Sequence, residues 1–182
     1  MTGQSRLLQQ LSELLVRLDR QHIRHALIGG IAVNIHGYSR ATHDIDLLID
    51  VVDEPALHAL MTELGYETID RREDLSSYVR GHERADFLHA RRPISRGLLS
   101  AAHSTAYAGL AMPVVSLEGL LGLKVQAFAD DPRRLQDVVD MLEIVRGKGS
   151  SLRWDEVRGY FALFGREALF DELKRAAGED RD

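Results

Sequence analysis

The stretch from Ala26 to Val52 constrains this chain more than any other. An apolar run, Ala26–Leu27–Ile28, stops at Gly29–Gly30, and a second run begins at Asp44, fourteen residues after Gly30. Three apolar residues halted by two glycines suit a short strand covered on both faces. Glycines at such a stop adopt dihedrals closed to other residues and let the backbone approach a ligand closely. Ile31, Ala32, Val33 and Ile35 then predict about two helical turns, ended by Gly37. A helix starting there points unpaired N–H groups at the turn, where an anion such as a triphosphate is favoured. From Asp44 to Val52 the pattern alternates: Ile45, Leu47, Ile49 and Val51 on one face, Asp44, Asp46, Leu48 and Asp50 on the other.

Side chains two apart in a strand point the same way, so the Asp44 and Asp46 carboxylates project together. Adjacent carboxylates repel, and a hard divalent cation with oxygen ligands, Mg²⁺ above all, resolves the repulsion. Two such cations about 3.5–4 Å apart can hold both the attacking and the leaving oxygen of a phosphoryl displacement. Without that chemistry, aspartates at a strand start are turn or cap residues.

Taken together, Gly29–Gly30, Arg40-x-Thr42 and Asp44–Ile45–Asp46–Leu47 resemble the signature of the polymerase β-like nucleotidyltransferase superfamily. The form with two glycines and R-x-T-x-D-I-D-L is most similar to the AbiEii and MenT branch of nucleotidyltransferase toxins and to small stand-alone relatives of that branch. The resemblance runs from about Leu27 to Val145 and is most specific between Gly29 and Leu48. It implies that Asp44 and Asp46 bind the metals and that a third carboxylate on a later strand completes the site. The implied reaction moves a nucleoside monophosphate from a nucleoside triphosphate to an acceptor hydroxyl and releases pyrophosphate. It further implies an acceptor at the end of tRNA and a cognate antitoxin as partner. One departure is length, since the chain is shorter than AbiEii-type toxins and lacks much of their C-terminal helical domain. Small-molecule enzymes that modify aminoglycosides and lincosamides share a similar Gly–Gly and Asp-x-Asp arrangement. Protein AMPylation and a non-catalytic binding module on the same fold are the other readings.

The whole chain sets bounds on these alternatives. Its 182 residues make one domain, or one domain with a helical appendage. Apolar content of 45% and charged content of 28% are ordinary for a globular protein. With no cysteine, disulfides, thiolate metal sites and cysteine nucleophiles are excluded. No apolar run reaches the length of a membrane span, and the first twenty residues are too charged for a secretory signal, so a cytoplasmic location is the default expectation. A net charge of −5 disfavours nonspecific coating of nucleic acid. Arg71–Arg72, Arg91–Arg92 with Arg96, and Arg133–Arg134 are local basic clusters, either solvated surface or a basic rim for a polyanionic acceptor.

Along the chain, Leu7, Leu8, Leu11, Leu14, Leu15 and Leu18 mark a packing helix from Ser5 to Gln21. His22 and His25 read as surface or capping residues. Asp53–Glu54–Pro55 opens a helix to Leu64, with Gly65 as its stop. Tyr66–Ile69, Ser76–Arg80 and Arg84–His89 read as strands, the last two joined by a turn at Gly81–His82–Glu83. In the last, Arg84, Asp86 and Leu88 share one face, so Asp86 is the candidate third carboxylate; the alternative is that it merely pairs with Arg84 or another base. His82, His89 and His103 read as structural or exposed. Short strands follow between Ala106 and Val115, then a helix capped by Ser116 that carries Lys124 in its apolar stripe. Lys124 either snorkels or turns to a site, and the resemblance places a lysine at that position near the nucleotide phosphates. Helices are expected over Arg133–Arg146, Trp154–Leu163 and Arg166–Ala177, with Arg134, Asp137 and Asp140 bracing helices.

The fold expected is α/β: a small mixed sheet of four or five strands flanked by helices over residues 1–115, with a helical part packed on it over 116–182. The expected site is Asp44, Asp46 and Asp86 as catalytic metal ligands. Gly29, Gly30, Arg40, Thr42 and Lys124 are the expected nucleotide contacts. Arg40 can alternatively fix its loop by pairing with Asp50 or another acid.

Overall fold

The computed structural model describes residues 3–178, and side chains from Arg6 onward. It forms two compact units: one from residues up to 32 together with 40–115, the other from 33–39 together with 116 onward. The expected helices and strands appear, with ends shifted by one to three residues.

The first unit is built on a seven-stranded mixed sheet. Its strands are β1 (His25–Leu27), β2 (Ile45–Asp50), β3 (Glu67–Arg71), β4 (Leu75–Arg80), β5 (Glu83–Ala90), β6 (His103–Tyr107) and β7 (Leu110–Val114). Their order is β3-β4-β5-β2-β1-β7-β6, with β2 parallel to β5, β1 parallel to β7 and the remaining pairs antiparallel. Seven strands exceed the four or five expected. Of the outermost two, β3 matches the strand expected at Tyr66–Ile69, while β6 is mostly exposed and begins three residues before the short strands expected from Ala106. Charged residues fill β3, as suits an edge that must not pair with another chain.

Helix α1 (Gly3–Arg20) buries Leu11, Leu14, Leu15 and Leu18, the stripe that its leucine spacing predicts. Gln10 on α1 donates to the Tyr66 hydroxyl at 3.2 Å and to the Arg84 carbonyl at 3.3 Å. Helix α2 (Gly29–Ile35) follows β1 at once, and the boundary between the units runs through it. After a 3₁₀ turn at Val51–Asp53 comes α3 (Glu54–Glu63), with Pro55 in its first turn. Helix α4 (Pro93–Ser100) packs on β2 and β5. Every inward residue of β2 is buried, as are Ala85, Phe87, His89 and Ala90 of β5.

The second unit is helical: α5 (Leu117–Asp130), α6 (Leu135–Lys148), a 3₁₀ turn at Gly149–Ser151, α7 (Trp154–Leu163) and α8 (Glu167–Ala176). Ser116 caps α5 by accepting from the Gly119 N–H at 3.1 Å. Phe170 on α8 meets Trp154 and Phe161 on α7 edge-on, at centroid distances of 5.7 and 5.8 Å. Among the described residues no helix is long and apolar enough to cross a membrane.

Candidate active site

Five of the predicted site residues meet at the end of β1. Gly29 has φ +62°, a left-handed conformation, and a Cβ there would fall on the Asp46 carboxylate. At Gly30 a Cβ would come within 2.5 Å of Thr42 Oγ1 and 3.1 Å of Arg40 Nη2. The two glycines are therefore where the chain brings its backbone against the side chains of Asp46, Thr42 and Arg40. The Gly30 N–H donates to Asp46 Oδ2 at 3.4 Å, a long bond that ties the start of α2 to β2. Arg40 donates from Nη1 to the Ala41 carbonyl at 3.0 Å.

The sheet brings in the sixth. Strands β2 and β5 run parallel with Asp46 opposite Asp86 and Ile45 opposite Ala85. Residues opposite one another on neighbouring strands point to the same face, about 4.8 Å apart at the backbone. Asp86 thus stands beside Asp46, and Asp44 lies two residues before Asp46 on the same side.

As the side chains stand, however, the three carboxylates do not converge. Among the described residues no group of three or more His, Asp or Glu side chains is set to hold a metal ion. The reason lies in their partners: Asp46 is turned to the Gly30 N–H, and both oxygens of Asp86 accept from Arg84 Nε, at 3.3 and 3.1 Å. The ion pair between Arg84 and Asp86 is therefore real. Hydrogen bonding to Asp86 raises the Arg84 guanidinium above its ordinary value, with the charges of Asp86, Asp44 and Asp46 adding to it. Arg84 is the residue that the motif search missed as part of the site. Its place on the Asp86 face was the available signal.

Lys124 belongs to the second unit. It is buried, and its ammonium donates to Asp137 at 2.9 Å and Asp140 at 2.6 Å. Arg134 adds a bond to Asp137 at 2.7 Å and Gln136 one to Asp140 at 2.9 Å. The expected bracing by Arg134, Asp137 and Asp140 is present, with Lys124 at its centre. Asp50 does not anchor Arg40: it accepts from Arg24 and lies 3.6 Å from Arg96. The arginine clusters are largely paired, Arg71 with Glu54, Arg72 with Asp70, Arg91 with Glu73 and Arg133 with Asp131. One histidine differs from expectation: His25 is buried, with Nδ1–H donating to the Ile23 carbonyl at 2.9 Å. His89 takes the structural role, buried between Ser76 and the Glu73 carbonyl.

A short strand, a glycine turn and a helix, followed by a strand bearing Asp44 and Asp46 beside a parallel strand bearing Asp86, define a nucleotidyltransferase fold. Comparison with known proteins agrees. The family model for aminoglycoside-2''-adenylyltransferase matches residues 10–86, the segment that carries Asp44, the other six residues of the site and Arg84. The solution structure of the antibiotic-resistance factor ANT(2'')-Ia is similar with TM-score 0.58 and 15% identity, over 98% of this chain and 94% of that one. A nucleotidyltransferase-like antigen from Paracoccidioides brasiliensis gives TM-score 0.58 and 18% identity, over 93% and 92%. The lincosamide antibiotic adenylyltransferase LnuA, bound to lincomycin, gives 0.51 and 17%, over 62% and 82%. These likenesses lie in the nucleotidyltransferase fold, and none bears on the AbiEii and MenT branch. No curated protein matches the chain by sequence.

Proposed function

We propose that this protein transfers a nucleoside monophosphate, adenylate first among the candidates, from a nucleoside triphosphate to a hydroxyl of a small cationic acceptor of the amino-sugar class. The observation that carries the transfer chemistry is the register of Asp46 opposite Asp86, beside a turn where Gly29, Gly30, Arg40 and Thr42 meet. Asp44, Asp46 and Asp86 are the residues that would hold a divalent cation such as Mg²⁺. Their donors are all hard carboxylate oxygens, and two of them share register and face. A cation bound there supplies neutralisation of the charge that builds on the transferring group.

The chain's own residues then have distinct tasks. Gly29 and Gly30 permit close approach of the phosphates, while Arg40 and Thr42 above Gly30 offer a guanidinium and a hydroxyl to them. The acceptor hydroxyl gives its proton to solvent as its oxygen bonds to the α-phosphorus, the bond from that phosphorus to the α–β bridging oxygen breaks, and pyrophosphate leaves with that oxygen. Positioning and electrostatics supply the acceleration. For Lys124 to reach a phosphate it would have to abandon Asp137 and Asp140, so we assign it to bracing the second unit.

The acceptor class follows from charge and likeness. Net charge is −5 and most clustered arginines are paired, which favours a cationic acceptor over a polyanion. The aminoglycoside adenylyltransferase model over residues 10–86 points the same way. A second reading keeps tRNA as acceptor, the protein acting as a toxin held by an antitoxin. It is favoured by the Arg40-x-Thr42-x-Asp44–Ile45–Asp46–Leu47 motif.

The test incubates the protein with each α-labelled nucleoside triphosphate, Mg²⁺ and, separately, an aminoglycoside, a lincosamide and total tRNA, with Asp46→Ala as control. Label on an antibiotic that is lost in the control establishes the proposal. Label on tRNA selects the second reading, and no transfer to any acceptor without nucleotide binding rejects both.

A further inference from the structure

Arg84 stands among the carboxylates in a way that the transfer reaction does not require. Ile45 lies opposite Ala85 and Asp46 opposite Asp86, and Asp44, one residue before β2, is near enough for its charge to act on Arg84. Asp44, Asp46, Arg84 and Asp86 thus form one cluster, with Asp46 and Asp86 about 4.8 Å apart at the backbone. Three of its members are negative and one positive. Arg84 donates to both Asp86 oxygens, and its side chain is 45% exposed against 19% for Asp86. On the other side of β5 the neighbour of Asp86 is Ser77 and that of Arg84 is Val79, so β4 contributes no competing charge.

We infer that Arg84 is the resident counter-ion of this cluster. It holds Asp86 when no divalent cation is bound, and it must release Asp86 for a cation to take that carboxylate. The inference rests on the nucleotidyltransferase reading of the three acids. Two features make the exchange workable. A half-exposed ion pair is held weakly, so its release costs little. The cation offers two charges where the guanidinium offers one, so it wins at sufficient concentration. Arg84 thereby lowers the site's affinity for free cation, and the cation is retained best when a triphosphate arrives with it to neutralise the charge added. Arg84 is a positioning residue in this scheme, acting on the metal through Asp86.

Free Mn²⁺ measured by electron paramagnetic resonance, without nucleotide, tests it in the full-length protein. Arg84→Gln should bind Mn²⁺ more than tenfold more tightly than wild type: removing one unit charge roughly 6 Å from a divalent ion at the dielectric of water gives about tenfold by itself, and the release of Asp86 adds to it. Arg84→Lys, which keeps the charge but loses the Nε–H shared by both Asp86 oxygens, should fall between the two. In an Asp86→Asn background the gain from Arg84→Gln should shrink to the roughly tenfold of charge removal alone, because the carboxylate contested is gone. Equal or weaker binding by Arg84→Gln overturns the inference, as does a gain undiminished in the Asp86→Asn background. Either result leaves the nucleotidyltransferase reading standing if wild type binds Mn²⁺. Failure of every variant to bind Mn²⁺, with or without ATP, removes both.

Discussion

Replacing Gly29 by alanine probes the site without removing a charged group. Two costs add at this position. Left-handed backbone, φ +62°, costs alanine about 1–2 kcal/mol. The new Cβ also falls on the Asp46 carboxylate, and forcing a packed side chain aside costs about 1–3 kcal/mol more. Gly65 provides the control: its φ is +79°, yet nothing lies within 4 Å of its Cβ position, so Gly65→Ala should show the backbone cost alone. Both lie in the first unit. Urea unfolding should be followed by far-UV circular dichroism, because the single tryptophan, Trp154, reports the second unit. Gly29→Ala should exceed Gly65→Ala by about 1–3 kcal/mol, and in an Asp46→Gly background, which removes the Asp46 Cβ as well as its carboxylate, the excess should vanish, a coupling of the same size. Equal costs at the two glycines, or an excess that survives Asp46→Gly, would show that Asp46 does not abut Gly29.

Three further outcomes are expected. Lys124→Met strips a buried cation from Asp137 and Asp140 and should cost the second unit about 3–5 kcal/mol by Trp154 fluorescence in urea; a loss under 1 kcal/mol contradicts the buried network. Burial pushes the Tyr66 and Tyr160 hydroxyls up to about 12, so both remain protonated in the folded chain where the unfolded chain ionises near 10. The unfolded state then binds fewer protons than the native one: their contribution to stability is intact below pH 10 and is lost as pH rises towards 12. A phenolate absorbance titration should show late-ionising tyrosines that become fewer in Tyr66→Phe and Tyr160→Phe; titration of all five near pH 10 would refute the assignment. Gly122→Ala places a Cβ 2.8 Å from the Tyr160 ring between α5 and α7, so it should destabilise by about 1–3 kcal/mol despite alanine's better helix propensity, whereas no loss or a gain in stability would mean the two helices are not in contact there.

Local patterns carried much of this structure. The leucine spacing of α1, the glycine stop after β1, the alternation of β2, the turn between β4 and β5 and the Ser116 cap all depend on residues within a few positions of one another. Period, turn chemistry and capping are properties of the chain alone. So is the shared face of Asp44 and Asp46, and that of Arg84 and Asp86.

What remained undetermined was whatever depends on which strands become neighbours. That β3 and β6 both join one sheet as its edges is not a local property, so the sheet came out wider than expected. Lys124 sits in an apolar stripe whether it snorkels, binds a ligand or pairs with Asp137 and Asp140. Only the docking of α6 on α5 chooses the third. Above all, nothing local sets β5 beside β2 rather than beside a strand nearer in sequence. That nonlocal, parallel pairing puts Asp86 level with Asp46 and brings Arg84 to the carboxylates. The sequence by itself determined which side chains each strand would present on one face. The tertiary structure alone decided that two such faces adjoin, because strand order is chosen by burial of the whole sheet and not by any one of its segments.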